Sequence, residues 1–123
     1  MNVKIDTKER FTVITPEELR LSANMTEKLK ELLLPYLKKE IPHVILDLNM
    51  VKAVDGEMAG NIAAIQQEFY LNNCSFVICR MQDEIKKIFE EKDLAESMNI
   101  TPTESEAWDM VQMEEVEREL FRE

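Results

Sequence analysis

A chain of 123 residues with 45% hydrophobic and 33% charged side chains has the composition of one ordinary globular domain, with apolar material enough for a core and too much for a disordered segment. Lys+Arg 15 against Asp+Glu 25 give a net charge of −10, which excludes the basic footprint of a general nucleic-acid binder. No apolar run approaches the roughly 18 residues of a membrane span. The opening MNVKIDTKERF alternates at once, without the apolar stretch of a signal peptide, so a cytoplasmic protein is expected.

Val3 and Ile5, alternating with Lys4 and Asp6, predict a first strand, and 11–15 (FTVIT) a second. The polar Thr7-Lys8-Glu9-Arg10 between them reads as a hairpin turn, which makes the pair antiparallel. Pro16 closes the second strand. Leu21, Met25, Leu29, Leu32, Leu33 and Tyr36 recur at three- and four-residue steps, the pattern of an amphipathic helix of about four turns, with Ser22 or Asn24 as its cap. Val44-Ile45-Leu46-Asp47-Leu48 is a nearly continuous apolar run, as in a strand buried on both faces. A loop, Asn49 to Val54, then leads through Asp55-Gly56-Glu57 into a second helix marked by Met58, Ile62, Ile65 and Phe69, and ended by Asn72-Asn73. Residues 75–80 (SFVICR) form the next strand, Asp83 caps a third helix whose buried face is Ile85, Ile88 and Phe89, and 98–100 give a last short strand or turn. Thr103 and Glu106 have capping-box spacing at the start of the final helix. Strands alternating with helices imply an α/β domain with a mixed, mostly parallel sheet, an N-terminal antiparallel hairpin and four helices.

The final helix carries two apolar stripes. At about 100° per residue, Ala107, Met110 and Val111 share one face, while Met113, Val116 and Leu120 lie on roughly the opposite one. We therefore expect a domain over 1–112 and an extension of the last helix over 113–123. Met113, Val116 and Leu120 would form a seam for a second copy of the chain or for another protein, unless they are incidental apolar residues of a frayed helix end. From Glu104 onward there are seven Glu and one Asp against two Arg, either a solvated face or a docking surface for a basic partner.

Candidate catalysts are few. His43 is the only histidine and has no evident nucleophile or acid as a partner. Gly56 and Gly60 are the only glycines, which excludes the phosphate-binding glycine loops. Cys74 and Cys79, on opposite faces by their odd spacing, read as buried reduced thiols. Asp47 and Asp55 are too few oxygens for a hard-cation site. No enzyme, no metal and no cofactor is expected.

The order of elements and the segment ILDLNMVKAVDGEMAGNI resemble the STAS domain of anti-sigma-factor antagonists. In that family a strand of the type (I/V)-x-(L/I)-D-(L/F) precedes a loop and an Asp-Ser-(Ser/Ala)-Gly motif that opens a helix. Asp47 matches in the strand, and Asp55, Gly56, Glu57 and Met58 span the motif. The resemblance implies a non-enzymatic module of bacterial regulation that binds an anti-sigma factor or a serine-kinase-like regulator, controlled in the family by phosphorylation of the motif serine. Here Gly56 and Glu57 replace the hydroxyl positions, with Glu57 at the phosphoacceptor, so no phosphoacceptor is expected; the nearest hydroxyls, Thr26 and Ser75, belong to other elements. Glu57 is either a partial mimic of phosphoserine or a first-turn residue favoured by the helix dipole. Asp55, Gly56, Glu57, Met58 and Asn61 would form the contact surface. The competing classes are a small-ligand-binding or enzymatic α/β domain, which needs a concave pocket near Asp47 and Asp55, and a structural subunit of a signalling assembly.

Overall fold

In the computed structural model, which describes residues 1–121, five strands lie side by side in the order β1 (Val3–Thr7), β2 (Thr12–Pro16), β4 (Val44–Asp47), β6 (Phe76–Cys79) and β7 (Ile100–Thr101). β1 and β2 are antiparallel, and the remaining three pairs are parallel. This is the mixed α/β architecture expected. A separate two-residue parallel pair, β3 (Arg20–Leu21) with β5 (Ala53–Val54), sits beside the loop before the second helix.

Period-2 alternation sorts the central strands between two cores. Ile14, Val44, Leu46, Phe76 and Ile78 face one layer, with α1 (Thr26–Leu33), α2 (Gly56–Leu71) and α3 (Asp83–Glu91) packed on it. Val13, Ile45, Val77 and Cys79 face the other, which α4 (Glu104–Leu120) covers alone through Ala107 and Val111. Both faces of β4 and β6 are therefore buried, the physical reason their sequences are apolar without a break. Phe11 and Trp108 extend the smaller core, their rings 5.2 Å apart.

The first helix differs from its expected form. Leu21 pairs in β3 with Val54, and the α-helical segment begins only at Thr26, after a 3₁₀ turn at Ala23–Met25. It ends at Leu33 because Pro35 has no N–H to continue the ladder, and Leu34–Lys38 tighten into a second 3₁₀ turn. Neither Ser22 nor Asn24 caps it. Gln82, not Asp83, is the N-cap residue of α3, and Asp83 lies inside its acidic first turn. Thr103 does cap α4, its hydroxyl accepting the Glu106 N–H at 3.1 Å. Asn72 ends α2, and Asn73 takes the left-handed conformation (φ 59°) that asparagine tolerates there.

Past Gln112, α4 continues without a break to Leu120 and keeps one face fastened to the body. Ser75 Oγ donates to Glu114 at 2.6 Å and accepts from Arg118 at 2.6 Å, and Asn99 Nδ2 donates to Glu114 at 3.1 Å. Glu115 takes the His43 Nε2–H at 2.9 Å and Arg10 at 3.3 Å. Met113, Val116 and Leu120 lie on the exposed side.

Candidate protein-interaction site

The loop from β4 to α2 is anchored from below by a charge pair. Asp47 is 1% exposed at the end of an apolar strand, and such a carboxylate needs donors. Arg80 supplies them from the end of the neighbouring parallel strand: its Nε lies 3.0 Å from Oδ2 and 3.2 Å from Oδ1, and an Nη adds a further bond to Oδ2. The Asn49 N–H donates to Oδ1 at 3.0 Å, fixing the first loop residue. Arg80 adopts a left-handed backbone (φ 54°), uncommon for a side chain of its kind, and the ion pair is the evident compensation. The Asp47 carboxylate also raises the guanidinium above its ordinary pKa, with burial opposing it.

Asp55 is the hinge point of the site. Its Oδ1 accepts the Met58 N–H at 2.7 Å, the usual bond of an N-cap carboxylate, and its Oδ2 accepts the Ala23 N–H at 2.9 Å. One exposed side chain thus satisfies the open starts of two helical segments and fixes the β3–α1 junction against α2. The signal for the first bond was present in the Asp-Gly-Glu run, whereas the second depends on a contact 32 residues away and has no local signature.

Around Asp55, the expected surface residues separate. Glu57 is exposed in the first turn of α2, where the helix dipole favours a negative charge. Asn61 is half-buried, its Nδ2 donating to Thr26 Oγ1 at 2.8 Å. Gly56 is half-buried beneath an arm of α3: a Cβ added there would meet Lys92 Cε at 2.7 Å. Met58 is wholly buried, with its Sδ 3.9 Å from the Thr26 hydroxyl, because the N3 position of this helix points at the sheet. It supports the surface from beneath and offers none of its own. Of the two nearest hydroxyls expected from the sequence, Thr26 is buried between α1 and α2, and Ser75 lies at the opposite end of the sheet against α4.

His43, just before β4, lies at that opposite end. Its Nδ1 accepts the Ser75 N–H at 3.0 Å while Nε2 faces Glu115, so the neutral Nε2–H tautomer satisfies both contacts. Burial lowers its pKa, helped by Arg118 and opposed by Glu115 and Glu114. Both cysteines are free and buried; burial raises the Cys74 thiol, and burial with the Asp47 and Glu104 charges pushes Cys79 up to about 12. Among the described residues there is no group of three or more His, Cys, Asp or Glu placed to hold a metal ion. No described helix is long and apolar enough to cross a membrane.

A mixed sheet flanked by three helices on one face and one on the other, with an acid-capped helix opening onto the surface after the central strand, defines the STAS class of α/β domain. The STAS domain family model matches residues 2–107, and the chain belongs to that family. Among solved structures, it is similar to a putative anti-sigma factor antagonist from Thermotoga maritima, with 18% identity, 89% of this chain and 94% of that one covered, and a TM-score of 0.79. SpoIIAA in its unphosphorylated form matches at 17% identity over 90% and 96% of the two chains, TM-score 0.71. A serine-to-glutamate variant of RsbS from Moorella thermoacetica matches at 18% identity over 91% and 96%, TM-score 0.75. No curated protein matches in sequence.

Proposed function

We propose that the chain is a non-enzymatic interaction module of bacterial regulation, cytoplasmic like the antagonists it resembles. It binds an anti-sigma factor or a serine-kinase-like regulator through the exposed start of α2. The carrying observation is the pair of hydrogen bonds that the Asp55 carboxylate accepts from the Met58 and Ala23 N–H groups, which holds Glu57 and the flanking turn in one conformation before any partner arrives. A preorganised surface of this kind loses little conformational entropy on docking. Asp55, Gly56, Glu57 and Asn61 form its outer layer, and Met58 sets its height.

Glu57 stands where the family motif carries its phosphoacceptor serine, so binding proceeds without phosphorylation in this loop. A single carboxylate at the first turn of a helix is stabilised by the dipole, and it lacks the second charge and the tetrahedral oxygens of a phosphate. A serine-to-glutamate variant of RsbS keeps a fold similar to this one. A ligand-binding or enzymatic role would favour a pocket at Asp47 and Asp55, whereas the two grooves described open at the His43 end and are lined by neither residue.

The test is incubation of the chain with anti-sigma kinases of its own cell and ATP, followed by peptide mass mapping and a binding titration. Residues 49–60 stay unmodified and the kinase is bound. A phosphate within 49–60, or no binding by any of them, overturns the proposal.

A further inference from the structure

At the end of the molecule remote from Asp55, the C-terminal turns of α2 and α4 flank an open groove of about 1370 Å³. Its apolar lining includes Tyr70, Leu71, Val116 and Phe121, which are 69%, 68%, 57% and 83% exposed. Met113 and Leu120 extend the same exposure along the outer side of α4. Side chains of this size, clustered in the open where the ends of two helices on opposite faces of the sheet meet one groove, mark an interaction surface.

Charge selects the occupant. The groove is lined by Glu114, Glu115, Glu117 and Glu119 against Arg10 and Arg118, an excess of two carboxylates. Glu114 is engaged by Arg118 at 3.7 Å, and Glu115 by Arg10 and His43, whereas Glu117 and Glu119 have no ion-pair partner among the described residues. Glu106 and Asp109 continue the exposed acid along α4. A second copy of this chain would bring the same carboxylates face to face, on a molecule already carrying −10. The geometry points to a cationic amphipathic helix of another protein as the occupant, its apolar stripe on Tyr70, Leu71, Val116 and Phe121 and its Lys or Arg flank on Glu117 and Glu119. This surface is separate from the α2 start, and the chain would therefore hold two partners at opposite ends of its sheet.

Fluorescence anisotropy with the full chain tests this, using a labelled synthetic Leu/Lys amphipathic helix and a Leu/Glu helix of matched hydrophobicity as probes. The Leu/Lys helix binds and the Leu/Glu helix does not. Val116→Ser and Tyr70→Ser each weaken binding about tenfold, more than most interface side chains cost when truncated, while Leu19→Ser, an equally exposed site near the opposite end, leaves it unchanged. Glu117→Gln with Glu119→Gln weakens binding and flattens its salt dependence, since screening shortens from about 10 Å at 0.1 M to about 3 Å at 1 M salt. All these side chains are exposed, so the variants keep the fold. Val116→Ser losses no larger than those of Leu19→Ser overturn the assignment. So does a sedimentation mass of two chains that Val116→Ser returns to one, which would make the occupant a second copy. Glu57→Lys leaves the Leu/Lys helix bound, which separates this surface from the one proposed above.

Discussion

Replacing Asp55 by Ala removes both hydrogen bonds that its carboxylate accepts. Loss of an N-cap oxygen costs about 1 kcal/mol, within a range of roughly 0.5–2. The bond to the Ala23 N–H, exposed and therefore partly replaceable by water, adds about 0.5–1.5 kcal/mol. The expected loss is about 2 kcal/mol. With a urea m-value of about 1.5 kcal/mol/M for a domain of this size, the midpoint falls by roughly 1 M at unchanged m. Asp55→Asn keeps one acceptor oxygen but loses the charge at the helix start, and should lie about halfway. Equilibrium urea unfolding followed by circular dichroism reads both variants. A loss below about 0.3 kcal/mol for Asp55→Ala would show that water satisfies these N–H groups as well as the carboxylate does, and would refute the idea that Asp55 preorganises the site.

Arg80→Met leaves the Asp47 carboxylate buried without its cation. Because the guanidinium is itself partly exposed, the expected loss is roughly 2–4 kcal/mol, below the full range for a buried pair, and chemical denaturation measures it. His43 gives a pH signature: its folded pKa is depressed, so the unfolded chain binds the proton first. Stability is full above the ordinary value of 6.5, falls as the pH drops below it, and stops falling from this cause beneath the folded pKa; His43→Gln removes that part of the slope. Cys79, wholly buried with its thiol pushed up to about 12, should resist a thiol reagent such as dithionitrobenzoate in the native state and react on unfolding; prompt native labelling would contradict its burial.

The parts of the fold legible in the sequence were those with a local pattern. Alternation and apolar runs marked β1, β2, β4 and β6, and three- and four-residue spacing marked the helices. Thr103 and Asn72-Asn73 marked boundaries through their own chemistry. What escaped depended on distant contacts. Leu21 has helical spacing to Met25, yet its backbone pairs with Val54, a partner no window along the chain contains. Pro35 breaks the ladder inside a run that still has helical spacing, and Leu34–Lys38 tighten as a result. At the site, Asp55 and Glu57 are readable as helix-start acids, and Met58 shares the apolar stripe of Ile62, Ile65 and Phe69, which puts it on the buried face and not on the contact surface. The Asp47–Arg80 pair was within reach: a carboxylate in an apolar strand demands a cation, and Arg80 closes the adjacent strand.

A start of α2 that binds its regulator with Glu57 in the serine position needs no phosphate switch. Isothermal titration of an anti-sigma kinase against the chain, before and after treatment with that kinase and ATP, tests it most directly, with Glu57→Lys as the surface control. The affinity is expected to be the same before and after treatment, and to fall at least tenfold for Glu57→Lys. An affinity that collapses after treatment, or a Glu57→Lys variant that binds as the parent does, contradicts it.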